Sequence, residues 1–410
     1  MKFLILVGDG MADFPLDELN GKTPIEAANT PAMDELASLG MCALFCPIPE
    51  GLPPGSDIGN LSLFGYDPRS VFTGRAPMEA ANQGIELAQD QVAFRCNLVC
   101  IDDGRMKSFT AGHITTEEAD AIIKDLNYLF DGSGMDLHTG VSYRHLGIVK
   151  TPRATVEQLV SVATTPPHNI TDQEVDPYLP DGEGNEVLLE WMERAKGVLN
   201  DHPINRKRIA DGKLPATSIW LWGQGRAPKI EPYPQKFALY GAVVSAVDLV
   251  NGIGKLAGLE VLKVPGLTGY LDTNYEGKVE ASLKALERLD FAYLHVEAPD
   301  ETSHEGRTDL KIQAIEDFDR RVVRPCLDWA KARGDVRVLV CPDHITAIST
   351  KTHAGGPVPF ALFGPGVEQD RNTTYSETAG AQTGLLFPYG HELIDTMLRA
   401  RVVSSSLVVS

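Results

Sequence analysis

Apolar runs closed by small polar residues recur along the chain. Residues 2–7, Lys-Phe-Leu-Ile-Leu-Val, form a continuous hydrophobic stretch ending in Gly8-Asp9-Gly10, the pattern of a strand buried on both faces of a parallel sheet. Runs of the same kind predict strands over 290–297, 336–341 and 358–363. Helical periodicity predicts a helix over 31–39, with Thr30 as N-cap, Pro31 in the first turn and Gly40 at its end. The rigid turn Pro53-Pro54-Gly55-Ser56-Asp57 runs into a further helix starting within 58–64. Later helices are predicted over 243–257, 277–289, 309–332 and 390–399. In the longest, Ile315, Phe318, Val322, Cys326 and Trp329 form one apolar stripe, and Pro325 is expected to bend it.

Between these parts the texture changes. Strands are predicted over 92–100 and 141–149, and helices over 115–130 and 185–199. Residues 164–184 are rich in Pro, Thr, Asp and Gly and read as loop, and proline-rich joints fall at 213–217 and 226–234. No internal repeat or low-complexity tract is present. The predicted architecture is α/β: a core with a mostly parallel sheet and helices on both faces, built from 1–89 and 235–410. A smaller α+β domain is inserted at 90–234.

Composition narrows the function. Hydrophobic residues at 43% and charged residues at 23% describe an ordinary globular chain of 410 residues. With 37 basic and 56 acidic side chains the net charge is −19, which argues against nucleic acid as a partner. No apolar run reaches the ~18 residues of a membrane span, and the N-terminal stretch lacks a cleavage-site pattern, so the expected location is the cytoplasm. Six cysteines are too few for a disulfide framework, and the spaced pairs Cys42/Cys46 and Cys96/Cys100 read as reduced, buried thiols.

Candidate chemistry gathers after the predicted strands. Asp9 follows the first, Asp300 and His304 follow 290–297, Asp343 and His344 follow 336–341, and His353 precedes 358–363. Carboxyl ends of parallel strands share one edge, where ligands bind. Three Asp and three His converging there suit a pair of divalent cations, and the mixed donors fit Mn²⁺ or Zn²⁺ better than Ca²⁺. Ser56 lies between Pro-Pro-Gly and a helix start. It reads either as a helix N-cap or as a hydroxyl nucleophile beside the cations.

In order along the chain, Gly-Asp-Gly at 8–10, Pro-Gly-Ser-Asp at 54–57, Gly-Tyr-Asp-Pro at 65–68 and Thr-Gly-Arg at 73–75 are followed by Asp300-x-x-x-His304, Asp343-His344 and His353-x-x-x-Pro-Val-Pro. This set resembles the cofactor-independent phosphoglycerate mutases of the archaeal type, within the alkaline phosphatase superfamily. The resemblance implies an alkaline-phosphatase-like core with two divalent cations, Mn²⁺ first and Zn²⁺ or Mg²⁺ as alternatives. One cation would be held by Asp300, His304 and His353, and the other by Asp9, Asp343 and His344, with Ser56 shared or close by. Ser56 would carry the phosphoryl group as a phosphoserine, and a small phosphorylated metabolite would be the partner. The implied reaction interconverts 3-phosphoglycerate and 2-phosphoglycerate without bisphosphoglycerate.

The inserted domain would then hold the rest of the substrate. Arginine suits carboxylate and phosphate, which makes Arg75, Arg95, Arg144 and Arg226 candidates. His113, His145 and His168 are candidates for acid–base or anion contacts, and Lys255 for phosphate. Of these, Arg226 in Gly-Gln-Gly-Arg-Ala-Pro and His168 in Pro-Pro-His-Asn lie in motif-like stretches.

Three other readings compete. Some bacterial members of this branch are proposed homoserine kinases, and segments 143–146, 218–225 and 389–393 resemble that subgroup. The chain has no Gly-x-x-x-x-Gly-Lys-Ser/Thr loop, although a metal pair can hold nucleotide phosphates instead. A metal-dependent phosphomonoesterase would use the same site. A binding module with a dead site would need lost ligands, yet all six Asp/His positions and Ser56 are intact. The sequence does not fix the oligomeric state.

Overall fold

The computed structural model describes residues 1–370 and 372–399. The chain divides into two compact units, 1–72 with 230–410, and 73–229. The first division falls earlier than the expected 89/90 because the helix Ala76–Gln83 packs on strands of the inserted unit. Its residues Ala76 and Ala80 join a small core with Ala93, Leu146 and Ile148.

In chain order the strands are β1 (Lys2–Gly8), β2 (Met41–Phe45), β3 (Val92–Asp102), β4 (Arg105–Ser108), β5 (Met135–His138) and β6 (Arg144–Val149). They continue with β7 (Ser218–Arg226), β8 (Gly241–Val244), β9 (Glu260–Val261), β10 (Phe291–Val296) and β11 (Val336–Cys341). The last are β12 (Ile345–Ala347), β13 (Thr352–Ala354), β14 (Val358–Phe363) and β15 (Leu386–Phe387).

The larger unit holds an eight-stranded sheet in the order β15-β2-β14-β11-β1-β10-β8-β9. Only β14 runs against its neighbours, so the sheet is mostly parallel. The central β1 pairs in parallel with β10 and β11, bringing Gly8 level with Val296 and Val7 level with Cys341. Those three strands are buried almost throughout, which is why their sequences read as unbroken apolar runs.

The inserted unit is antiparallel. Its sheet runs β4-β3-β6-β5, with β7 also pairing β3. The helices Thr116–Phe130 and Asn185–Leu199 contribute to its own core, which includes Phe94, Ile122, Leu126, Trp191 and Trp220.

Several predicted elements shift. The strand expected over 141–149 begins at Arg144, because Ser142 turns in the left-handed region and Arg144 N–H bonds Val141 C=O at 3.0 Å. The helix expected over 243–257 is the end of β8 followed by a helix Asp248–Leu256. The long helix 309–332 is continuous from Thr308 to Arg333 but widens to a π turn at Asp319–Val323. Pro325, which has no N–H to give, falls just after that turn. The last predicted helix resolves into a 3₁₀ turn Gly390–Glu392 and a helix Leu393–Arg399, and residue 400 lies outside the described residues. All six cysteines are unbridged and five are buried. Among the described residues no helix is long and apolar enough to cross a membrane.

Candidate active site

Strand ends of the larger unit deliver the acidic and imidazole groups to one edge. Past β1, the Asp9 N–H donates to Val296 C=O at 2.9 Å, carrying the register of the sheet into the loop. Gly10 follows with φ +56°, and a Cβ there would collide with Thr346 Oγ1 and Asp300 Oδ1. Past β10, the helix Ala298–His304 places Asp300 and His304 one turn apart on the same face. Asp343 and His344 follow β11, and the β12–β13 hairpin sets His353 opposite Thr346.

The helix Ser56–Leu63 closes the group. Its Gly59 lies against the Asp343 backbone so tightly that a Cβ would collide with the carbonyl. Asn60 Nδ2 donates to Asp343 Oδ2 at 2.6 Å and to Ser56 C=O at 2.8 Å, and its Oδ1 accepts from Tyr293 Oη at 2.6 Å. Gly55 occupies the N-cap, so Ser56 is the first helical residue and its hydroxyl caps nothing. Ser56 Oγ lies 3.1 Å from His344 Nε2.

The donor atoms form a chain of three overlapping groups: Asp300–His304–His353, Asp9–Asp300–His344 and Asp9–His295–Asp343. His304 Nε2 and His353 Nε2 are 3.0 Å apart, and they lie 3.2 and 3.4 Å from the Asp300 oxygens. His344 Nε2 lies 3.2 Å from Asp9 Oδ1 and 3.5 Å from Asp343 Oδ2. Thus the six expected ligands and Ser56 come together. His295 was not among them, yet its Nε2 is 3.0 Å from Asp9 Oδ2.

The donors fit divalent cations. Asp9 Oδ1 and His295 Nε2 are buried without an aligned hydrogen-bond partner, and buried polar atoms are rarely left so. Carboxylate oxygens and imidazole nitrogens are the mixed set that such cations take. Electrostatics agrees: the buried carboxylates and imidazoles lean on one another. Burial and the neighbouring Asp9 push Asp343 up to about 7. The Asp300 contact raises His304 to about 9. Burial opposes charge on His344, and Asp343 with Asp9 outweighs it, giving about 10.

Behind the donors, Thr346 Oγ1 donates to Asp300 Oδ1 at 2.5 Å and meets His344 Nδ1 at 3.1 Å. The fully buried Lys311 ties this strand to the Asp9 loop, donating to Thr346 C=O, Ala12 C=O and Asp13 Oδ2 at 2.7, 3.2 and 2.9 Å.

The inserted unit holds a basic cluster. Arg95 lies over the Trp222 ring at 4.1 Å, with Nε donating to Glu79 Oε2 at 3.1 Å. Trp222 Nε1 donates to Asn97 Oδ1 at 3.1 Å, which fixes the ring. His168 packs edge-on against Trp222 and Phe109. Burial first, then Arg95 and Arg75, push His168 down to about 4. Burial also lowers Arg95, and Arg75 and Arg144 add to the effect. Three guanidiniums and a neutral imidazole therefore share one aromatic-walled region.

The remaining candidates are placed as follows. Arg226 ends β7 with its side chain exposed, its carbonyl accepting from Thr73 Oγ1 at 2.6 Å. His113 is exposed and lies in the left-handed region, with its N–H on Thr110 Oγ1. His145 is not placed for acid–base work: its ring is buried and its Nδ1 accepts from Gly140 N–H at 3.1 Å. Lys255 is exposed in the last turn of the helix Asp248–Leu256, which leads from the carboxyl end of β8 back to the start of β9. It is therefore carried to the edge of the sheet opposite the donors.

A family model described as 2,3-bisphosphoglycerate-independent phosphoglycerate mutase matches residues 37–205. The 2,3-bisphosphoglycerate-independent phosphoglycerate mutase of Methanosarcina barkeri is 46% identical over 403 residues, covering 98% of this chain and 100% of the relative. Among solved structures, a protein of Pyrococcus horikoshii superposes with a TM-score of 0.80 at 29% identity, covering 99% of this chain and 98% of that one. The cofactor-independent phosphoglycerate mutase of Thermoplasma acidophilum superposes with a TM-score of 0.66 at 25% identity, covering 97% and 99%. With near-complete coverage at such identity, the chain belongs to the 2,3-bisphosphoglycerate-independent phosphoglycerate mutases.

Proposed function

We propose that this chain interconverts 3-phosphoglycerate and 2-phosphoglycerate through a phosphoserine at Ser56, at a pair of divalent cations with Mn²⁺ the favoured ion. The observation that carries the reading is the placement of the Ser56 hydroxyl at the head of a helix, 3.1 Å from His344 and among the converged donors. Asp300, His304 and His353 would hold one cation, and Asp9, Asp343 and His344 the other. Bound there, such ions neutralise charge on a transferring phosphoryl group and ease ionisation of a nearby hydroxyl.

The chain's own residues do the rest. Ser56 Oγ gives up its proton and bonds to phosphorus as the bond from phosphorus to the glycerate oxygen breaks, and that oxygen takes up a proton. The N–H groups of the first turn of Ser56–Leu63 face anionic charge favourably. After the glycerate turns, its other hydroxyl oxygen loses its proton and attacks phosphorus, the bond from phosphorus to Ser56 Oγ breaks, and Oγ takes up a proton. Arg75, Arg95, Arg144 and His168 are the groups proposed to hold the glycerate carboxylate through charge-assisted hydrogen bonds. Arg226 and His113 are proposed as further contacts, and Lys255 is given no role.

Phosphorus NMR of the Mn²⁺-loaded protein with 3-phosphoglycerate alone tests this. The 2-phosphoglycerate resonance is expected without added bisphosphoglycerate, and Ser56→Ala is expected to abolish it while keeping Mn²⁺ bound. Free phosphate as the sole product would make the protein a phosphomonoesterase. An unchanged spectrum would overturn the mutase reading and make ATP with homoserine the next mixture. Full activity in Ser56→Ala would refute the phosphoserine route.

A further inference from the structure

The two oxygens of Asp9 face different ways. Oδ1 is the oxygen near His344 Nε2, at 3.2 Å, and His344 Nε2 is in turn 3.1 Å from Ser56 Oγ. Oδ1 is buried with no hydrogen-bond partner, so its lone pairs are free for a cation on the serine side. Oδ2 lies 3.0 Å from His295 Nε2, a ring with no exposed surface. His295 sits on β10, level with Val7 of β1, two residues before Asp9.

The far side of the ring is held as well. Its Nδ1 is 3.1 Å from Ser245 Oγ, and that oxygen already accepts from Val247 N–H at 2.9 Å. The Ser245 hydroxyl thus ties the far side of the ring to the turn that follows β8. On the near side, Nε2 stands 3.0 Å from Asp9 Oδ2, so the ring fixes where that oxygen lies. The backbone is pinned as well: the buried Lys278 Nζ donates to His295 C=O at 2.8 Å.

We propose that His295 is a positioning residue of the metal centre. Backed by Ser245, it holds Oδ2 of Asp9 so that Oδ1 alone is presented to the cation beside Ser56. Partners of this kind orient ligating carboxylates, and their loss commonly lowers metal affinity about 10- to 100-fold. The inference rests on the two-ion reading of the site, and the wild-type protein tests that reading separately.

The experiment is calorimetric titration of metal-stripped protein with Mn²⁺, with electron paramagnetic resonance of the bound ion. The wild type is expected to bind two ions. His295→Ala is expected to weaken one of them about 10- to 100-fold and leave the other unchanged. His295→Gln, whose amide N–H can serve Oδ2, is expected to recover part of the loss. Ser245→Ala is expected to weaken the same ion, and the double variant to be no weaker than His295→Ala. Because Ser245→Ala removes a single oxygen, it carries the test if His295→Ala does not fold.

Unchanged affinity in both single variants would overturn the proposal. So would outright loss of one ion at saturating Mn²⁺, which would make His295 a ligand, or equal weakening of both ions, which would make its role general packing. A wild type that takes up no Mn²⁺ would instead remove the two-ion reading itself.

Discussion

His145 lies on β6 with its ring inside the inserted unit, 2% exposed, and with Nε2 unpartnered. Its Nδ1 accepts from Gly140 N–H, so the ring is neutral in the folded chain. Burial lowers it from 6.5 to about 4, against a weaker upward pull from Asp120. The unfolded chain then binds the additional proton first as pH falls, so folded stability is full above 6.5 and declines toward 4. The decline from this one group is at most about 3 kcal/mol. Denaturant unfolding of wild type and His145→Gln between these pH values checks it, with the wild type expected to lose ground as pH falls. Parallel curves would show that the imidazole does not titrate in this way. Residues with chemistry were legible where their spacing exposed them: Asp300 and His304 fall one turn apart, and Asp343-His344 ends a strand-like run. His295 is hidden in the sequence because it stands inside an apolar strand run, though a polar residue in a fully buried strand must find a partner.

The helix Pro31–Leu39 is capped from a distance. Thr30, the expected cap by its position, makes no side-chain cap bond. Asp319, in the π turn, accepts from Ala32 N–H at 3.1 Å and Met33 N–H at 2.7 Å. Burial raises this carboxyl to about 6, and the two N–H groups hold it below where burial alone would put it. Asp319→Ala is expected to destabilise the protein by about 1–2 kcal/mol, since it leaves two helix-start donors buried and unpaired. Thr30→Ala is expected to change little. Thermal unfolding of the two variants checks the contrast, and a larger loss in Thr30→Ala would reverse the assignment. Local sequence rules name a cap from its neighbours in the chain and cannot see one supplied from 287 residues away. The same limit hid β8, whose four residues Gly-Ala-Val-Val continue into a helical pattern. It also hid β4 and β5, four residues each, which owe their strand form to pairing with β3 and β6. Long segments with a full period, such as 116–130 and 185–199, were legible almost to the residue.

The insertion was legible from the change of texture after residue 90, but its first boundary was not. The helix Ala76–Gln83 carries no sign in sequence of which sheet it covers, and it supplies Glu79 to Arg95. The division sorts the chemistry cleanly. Ser56, Asp9, Asp300, His304, Asp343, His344, His353 and His295 all lie in the larger unit, whereas Arg75, Arg95, Arg144, Arg226 and His168 all lie in 73–229. The inserted unit also begins and ends at one place, since Thr73 Oγ1 bonds Arg226 C=O at 2.6 Å. A short glycine–serine linker can therefore join residue 72 to residue 230. Such a core keeps the whole eight-stranded sheet and every donor. It is expected to bind Mn²⁺ with the stoichiometry of the full chain. It is also expected to form no 2-phosphoglycerate from 3-phosphoglycerate, because the guanidinium cluster proposed to hold the glycerate is gone. Calorimetry and phosphorus NMR on the joined core check both halves. Loss of Mn²⁺ binding would mean that the inserted unit is needed to assemble the metal centre. Retained isomerisation would mean that the glycerate is held by the core, and that the arginines of 73–229 serve another purpose.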